Sequence, residues 1–511
     1  MRRRTFVRNS TLAGGALLFL PVLKACKSPD SLLKANYFLR EFGIDETLCH
    51  KLLAQALSKG GDFADLYFEY TVSNYLGLED GKVNRSYGDI ALGVGIRTVK
   101  GDQIGYGFTQ DLTEESMLSA ASTAATISDM NASASGSSFS LLEKGNYYPL
   151  PPEFNGIPGT SKLPALQAVN EKCFAMSPEI VKVSAGFQSG TKRILVVTSD
   201  GIIGEDLIPS GYLYASVVAE RNGKREQSSW NLGGARDFSF YTDNVIDEIV
   251  SKSVNNALKL FDAIQPPAGE MPVVLGPGVT GVLLHEAIGH GMEADFNRKK
   301  TSTYTTMMGK KVAEPFITII DDGTIMNLAG SLNMDDEGTP SQKTVLVENG
   351  ILTSYLHDKI SAKFYGVEPT GNGRRQDFQN YPIPRMRNTY MLGGEATPED
   401  VIKKAGNGIY VEDVSNGQVK IGEGDFAFYV SQGRMIENGK LTAPIKDINI
   451  MGNGPKMLAN ITMAANDLEL YMGGAGQCGK DGQGVPVSFG LPTCLVKSLT
   501  VGGTQQKGGR S

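Results

Sequence analysis

Pro272-Val273-Val274-Leu275-Gly276-Pro277-Gly278-Val279-Thr280-Gly281-Val282-Leu283-Leu284-His285-Glu286-Ala287-Ile288-Gly289-His290 is the stretch on which the reading of this chain turns. Pro272 to Leu275 is a short apolar run with strand character, and Gly276-Pro277-Gly278 turns it. Val279 to Gly289 has helical spacing, with Val279, Val282 and Leu283 expected on the buried side. The segment ends in two imidazoles with a carboxylate beside the first. Neutral imidazole suits Zn²⁺, which takes about four ligands in a tetrahedron. A neighbouring carboxylate can take a proton from a zinc-bound water and pass it to a leaving amine, so Glu286 is expected to be the catalytic base.

The spacing sets a condition. Histidines four apart share a helix face, but five positions turn an ideal α-helix by about 500°, roughly 140° off alignment. Either a wider π-type turn brings His290 around, or His290 lies just past the helix end. Gly289 and Gly291 flank it and permit an unusual backbone. Glu293, Asp295, Asn297 and Arg298 crowd polar groups beside the motif, from which partners for the imidazoles could come. The bland alternative is an exposed helix end with two incidental histidines.

A third protein ligand is needed. The cysteines stand at 26, 49, 173, 478 and 494, without C-x-x-C or paired spacing, so neither a disulfide framework nor a zinc ribbon is indicated. Cys478 lies in Gly473-Gly474-Ala475-Gly476-Gln477-Cys478-Gly479-Lys480, a stretch that packs poorly as core and lets backbone approach closely. Cys494, in Pro492-Thr493-Cys494-Leu495-Val496, reads as a buried strand cysteine. Cys478 is the favoured ligand.

Outward from this motif, the 511 residues exceed one ordinary core, and two or three domains are expected. The 61 glycines favour turns and short strands. A net charge of −6 with no basic stripe argues against nucleic acid as a partner. Arg3-Arg4-Thr5-Phe6-Val7-Arg8 resembles a twin-arginine signature, followed by an apolar stretch from Leu12 to Leu23 that is too short to span a bilayer. Leu23-Lys24-Ala25-Cys26 resembles a lipobox. Residues 1–26 are therefore expected to be an export signal, with a lipid anchor through Cys26 and a periplasmic or membrane-anchored location. Removing residues 1–25 leaves 44 basic against 55 acidic groups, a net of −11, which opposes binding to an anionic membrane face.

The expected fold class is α+β. Residues 30–130 read as an N-terminal α/β domain: helical spacing over 27–60, then alternating runs such as Asp65–Tyr70 and Gly93–Val99 separated by Asp80-Gly81 and Lys100-Gly101, then a helix near 113–127. Residues 131–265 read as a central α/β domain after a Ser-rich linker over 131–140 and a Pro-rich loop over 148–158. It has a helix near 163–174, strands near 181–188, 193–199 and 211–220, and an amphipathic helix from Asp243 to Ile264. Residues 270–505 read as a β-rich domain that carries the histidine helix.

At this point the residues resemble the TldD/PmbA metallopeptidases, on the TldD side. The resemblance rests on His285 to Ser302, Asn333 to Pro340, Pro369 to Arg375, Gly417-Gln418-Val419, Cys478 to Gln483 and Leu499 to Thr504, in that order. It implies one Zn²⁺ held by His285, His290 and Cys478, with Glu286 as base. It implies hydrolysis of short or unfolded peptides, a barrel-like C-terminal part, and a homodimer or a heterodimer with a related TldD/PmbA subunit. Familiar members look cytosolic, so the export reading departs from the family pattern. The competing function is a non-catalytic peptide-binding or regulatory subunit of such an assembly. Arg374 and Asp335 are candidate substrate-binding residues; an ion pair is an equally natural role for Arg374 and Arg375, and for Asp335–Glu337 shaping a loop near the site is favoured over a hard-cation site. His357, His50 and Trp230 are not expected in the site.

Overall fold

The computed structural model describes residues 36–128, 137–151, 154, 156–420, 423–473 and 477–503. The expected signal over 1–26 and most of the Ser-rich linker lie outside the described residues. The architecture is α+β, as expected, with a closed five-stranded barrel in the C-terminal region.

The first half is organised on one seven-stranded sheet. Phe63–Glu79 lies at its middle, antiparallel to Lys82–Lys100 on one side and to Ile180–Thr198 on the other. Ile202–Arg221 and Lys224–Gly234 continue beyond Ile180–Thr198, and Gln103–Thr109 pairs with the far end of Lys82–Lys100. Asp80-Gly81 and Asn222-Gly223 make the hairpin turns, all four residues with φ between 47° and 78°, the conformation that two-residue hairpin loops require. The strands expected separately at 181–188 and 193–199 are one strand. Gly190 sits mid-strand, paired with Ser73 on one side and Ser210 on the other, so two neighbours hold the backbone extended where the apolar alternation lapses.

Helices cover the sheet. The helical stretch expected over 27–60 is divided, within the described residues, into Tyr37–Phe42 and Glu46–Ala56. Gly43 ends the first in a left-handed conformation at φ 70°, and Asp45 caps the second. With Glu114–Ala125 they bury Phe38, Leu52 and Met117 against Leu66, Phe68 and Ile96. Gly159–Met176 and Asp243–Lys259 bury Leu166, Val169, Ile249 and Val254 against Val183, Phe187 and Leu213. The latter helix stops at Lys259 and tightens into a 3₁₀ turn over Leu260–Asp262.

The barrel is closed by Gly269–Leu275, Cys494–Gly503, Ile448–Asn453, Asp425–Glu437 and Gly408–Lys420, the last pairing back to the first. Beside it a second sheet has Ile319–Asp322 at its centre, with Lys343–Glu348 and Asn388–Met391 as neighbours and Ser488–Leu491 parallel to the latter. The histidine segment is buried between the two: Leu283, Leu284 and Ile288 join Val273, Ile409, Phe428, Met386 and Leu491 in one core.

Buried charge joins the halves. Arg97 of the first sheet meets Asp65 at 2.5 Å and Glu337 at 2.7 Å, and Arg375 reaches Asp65 at 3.1 Å, with all four side chains shut off from solvent.

Candidate metal centre

The chain leaves Gly269–Leu275, turns at Gly278 (φ 76°) and winds through four short helical pieces. Gly278–Gly281 is 3₁₀, Val282–Leu284 α, His285–Gly289 π and His290–Met292 3₁₀. The amide of His290 donates to the carbonyl of His285, an i+5 closure. The wider turn therefore solves the five-residue spacing: the two rings lie 5.0 Å apart between centroids. Leu283 is buried as expected, whereas Val279 and Val282 are only half-buried, because the α piece is one turn long.

Cys478 stands on the two-stranded hairpin Gln477–Lys480/Gln483–Pro486. Its Sγ is 3.3 Å from Nε2 of His290. One ligand atom each from His285, His290 and Cys478 falls within 4.8 Å of the others, and all three residues are buried. Glu286 borders the group: its carboxylate is 3.7 Å from Nε2 of His290, and its side chain is 26% exposed. It is thus the member of the cluster open to an incoming molecule. Cys494 is wholly buried in a barrel strand.

Partners hold His290 and the hairpin of Cys478. Nδ1 of His290 lies 3.0 Å from the carboxylate of Glu293, which leaves Nε2 to face the cluster. Lys480, two residues beyond Cys478 and so on the same strand face, reaches Glu293 at 3.1 Å and Asp295 at 2.7 Å. Arg385 donates to the carbonyls of Cys478 and, at 3.2 Å, of Gln483. Arg374 donates to the carbonyls of Met386 at 2.6 Å and Pro486 at 2.8 Å. Three buried cations thus grip the hairpin that carries the thiol.

The electrostatics follow. Burial works against a charged Cys478, but His285 and His290 outweigh it and hold the thiol well below its ordinary value. Burial likewise opposes a charged His290, and Glu293 and Cys478 push it well above its ordinary value. Burial would raise Glu293, but Lys480 and His290 bring it down to about 2. Both ring nitrogens of His285 are buried and have no hydrogen-bond partner among the described residues, a costly condition for polar atoms unless something else meets them. Two imidazoles and a thiolate, one imidazole unsatisfied and the other oriented by a carboxylate, fit the donor set of a zinc site.

The remaining candidates lie elsewhere. Arg374 is buried and committed to the two carbonyls just named. Asp335 is fully buried and accepts the backbone N–H groups of Glu337, Thr339 and Gly373. Both hold loops in this structure. His357 is buried, and burial pushes it down to about 4. His50 stacks on Phe139, and Trp230 meets Tyr471 edge-on. Lys480 and Arg385 were not legible as site residues. The alternation Cys478-x-Lys480 was the available signal for the first; nothing local marked Arg385.

Comparison with known proteins supplies the context. Models of PmbA/TldA metallopeptidase domain 1, central domain and C-terminal domain match residues 64–128, 153–261 and 268–503. A metalloprotease TldD homolog of Haemophilus influenzae is 39% identical over 450 residues, covering 87% of this chain and 93% of that one. A zinc metalloprotease TldD homolog of Saccharolobus solfataricus is 28% identical, covering 89% and 99%. Two solved structures share the fold. A Thermotoga maritima protein described as a candidate modulator of a DNA gyrase has a TM-score of 0.72 at 23% identity, covering 89% of this chain and 99% of that one. TldE from Thermococcus kodakarensis has 0.67 at 18%, covering 89% and 100%.

These relatives correct one expectation. TldD homologues are typically cytoplasmic, which overturns the signal peptide, twin-arginine export, lipid attachment at Cys26 and periplasmic location read from residues 1–26. Among the described residues no helix is long and apolar enough to cross a membrane. Across three matched domains and at 39% identity to a TldD homologue, the chain belongs to the PmbA/TldD metallopeptidase family.

Proposed function

We propose that this protein is a zinc-dependent peptidase that hydrolyses short or unfolded peptides. The observation that carries the proposal is the convergence of His285, His290 and Cys478 within 4.8 Å, with the Glu286 carboxylate beside them. Zinc held by these three residues would polarise a scissile carbonyl and acidify a water molecule. Glu286 takes the proton from the attacking water and delivers it to the departing amine, so the carboxylate ends as it began. Glu293 fixes the ring of His290, and Lys480, Arg385 and Arg374 fix the hairpin, so the ligands need little rearrangement.

Glu286→Gln should abolish cleavage of a peptide library and keep the metal at wild-type content; full activity in that variant would reject the role of Glu286. Elemental analysis of wild type beside Cys478→Ala tests the metal set. A non-catalytic peptide-binding or regulatory subunit is the second reading. It is favoured by the fold shared with TldE and with the protein described as a candidate gyrase modulator. Purified protein without bound zinc would support it. A related TldD/PmbA-type subunit is the proposed partner under either reading.

A further inference from the structure

The start of the Gly159–Met176 helix holds an electrostatic conflict unconnected with the metal centre. A helix N-terminus presents unpaired N–H groups and a partial positive charge, which acidic side chains ordinarily offset. Here the first turn has no acidic residue, and Pro158 stands at the cap without a side-chain hydrogen bond. Only the amide of Ser161 bends back, to the Pro158 carbonyl at 3.1 Å. Lys162 then adds a full positive charge at this end, and it is 2% exposed. Among the described residues its ammonium has no ion pair or hydrogen bond; it lies 5.9 Å from the centre of the Phe187 ring. Burial pulls its pKa down, and no carboxylate among the described residues opposes the shift. A buried cation left alone is costly.

What surrounds the conflict is a set of donors. Helical Cα–Cβ bonds tilt toward the N-terminus, so the Lys162 side chain runs back toward Pro158 and Gly159 on the sheet side. There Gly156, Ile157, Pro158, Ser189, Gly190 and Thr191 border a cavity of about 200 Å³ whose lining contains no carboxylate. Ser189 and Thr191 follow Phe187 at two-residue steps, so they face the helix as Phe187 does. Both are buried, and neither hydroxyl has a hydrogen-bond partner among the described residues. The buried Tyr241 hydroxyl, likewise without a partner there, sits alongside. A Cβ on Gly211, the residue opposite Ser189, would meet that hydroxyl at 2.7 Å and Ile157 at 3.3 Å. Nothing lies within 4 Å of where a Cβ on Gly159 would stand, so the first amides are open to a ligand. An ammonium, hydroxyls and uncapped amides all donate, which is what an oxyanion requires. The space is below the roughly 300 Å³ at which pockets for drug-sized ligands begin, so the occupant is small.

We propose that this cavity binds one small oxyanion of the phosphate class, held by Lys162, by the hydroxyls of Ser189, Thr191 and Tyr241, and by the first amides of the Gly159–Met176 helix. This inference is independent of the zinc reading.

The test is titration calorimetry and thermal melting of the full chain with inorganic phosphate, ionic strength being held constant with chloride. Phosphate should bind wild type and raise its melting temperature. Lys162→Met should weaken binding about tenfold or more. In phosphate-free buffer the same variant should melt no lower than wild type, since it removes an unpaired buried charge. Ser189→Ala and Thr191→Val, which delete one hydroxyl each, should each weaken binding about threefold or more, and they carry the test should Lys162→Met misfold. Cys478→Ala should bind phosphate as wild type does, which separates this cavity from the metal centre. Tighter binding of inorganic phosphate than of O-phosphoserine would assign the cavity to the free ion, and the reverse to a phosphoryl ester; either supports the proposal. Four results would each overturn it: no phosphate binding, equal stabilisation by chloride, affinity indifferent to Lys162→Met and Thr191→Val, or binding lost with Cys478→Ala.

Discussion

Cys478 differs from its fellow cysteines in what surrounds it. Burial pushes Cys173 up to about 12, and burial together with nearby carboxylates (Asp45 and Glu46, Asp467) raises Cys49 and Cys494 further, whereas two imidazoles hold Cys478 down. In metal-stripped protein a small alkylating reagent at neutral pH should therefore modify one buried cysteine first. Peptide mapping should place it at 478, and zinc should protect it; equal labelling at Cys494 would contradict this assignment. Lys480 is the companion case. Lys480→Met leaves Glu293 and Asp295 buried without their cation. Zinc affinity, read by chelator competition, should fall about 10–100-fold, and stability by about 3–5 kcal/mol. Cys478 was legible because glycines flank it and the core alternative at 494 is stronger. Lys480 was not, since lysine is ordinarily a surface residue and its two buried carboxylates lie 187 and 185 positions away in sequence.

Among the elements, the histidine segment carries the most information per residue. Its five-residue spacing excluded a straight α-helix but left two bends open. What decides between them is tertiary. Gly454 lies against the backbone carbonyl of Ala287, and Gly281 against the backbone of Gly490, with no room for a Cβ at either place. Close packing on both sides holds the segment where a π turn fits. Gly454→Ala would drive a methyl into the Ala287 carbonyl inside that turn. It should lower metal affinity and cost about 1–3 kcal/mol of stability in denaturant melts. At Gly289 the added methyl would meet only the flexible end of Met386, so Gly289→Ala should be milder. Equal effects at the two positions would mean that the turn is not what orients the rings. Helix positions were legible from apolar spacing, and the first two hairpins from their Asp80-Gly81 and Lys100-Gly101 dipeptides. Strand lengths were not, because cross-strand pairing carried the backbone through polar and glycine-rich stretches such as Gln188–Thr191.

For the molecule as a whole, buried charge sets the response to pH. Burial and the nearby Glu337 raise Asp335 to about 7; burial, again with Glu337, raises Asp358 to about 6; and burial raises Asp413 to about 6. A carboxyl raised on folding contributes stability that is complete below its unfolded value of about 4 and is lost as pH climbs through the folded value. Glu293, lowered to about 2, works the other way, and its contribution is already complete above about pH 5. His357 and Cys478, both lowered, work against these three carboxyls over the same range, so the comparison is by variant: from pH 5 to pH 8 the melting temperature of Asp335→Asn should fall less than that of wild type, and identical profiles would contradict the assignment. Arg97→Leu would leave Glu337 in the interior between the halves without its buried cation and Asp65 with Arg375 alone, at about 3–5 kcal/mol, and should lower the stability of both halves together in calorimetry. The α+β class and a barrel-like second half could be read from strand patterning and family resemblance. The charged seam could not, since Asp65 and Arg97 are separated from Glu337 and Arg375 by more than two hundred residues.

The order in which the barrel strands meet has a consequence for biosynthesis. Gly269–Leu275, which launches the histidines, lies between Gly408–Lys420 and Cys494–Gly503. While the ribosome is still translating, that strand waits with both flanks bare, and the thiol at 478 does not yet exist. Under the proposed zinc reading, the three-residue ligand set is thus complete only once residue 478 has been made.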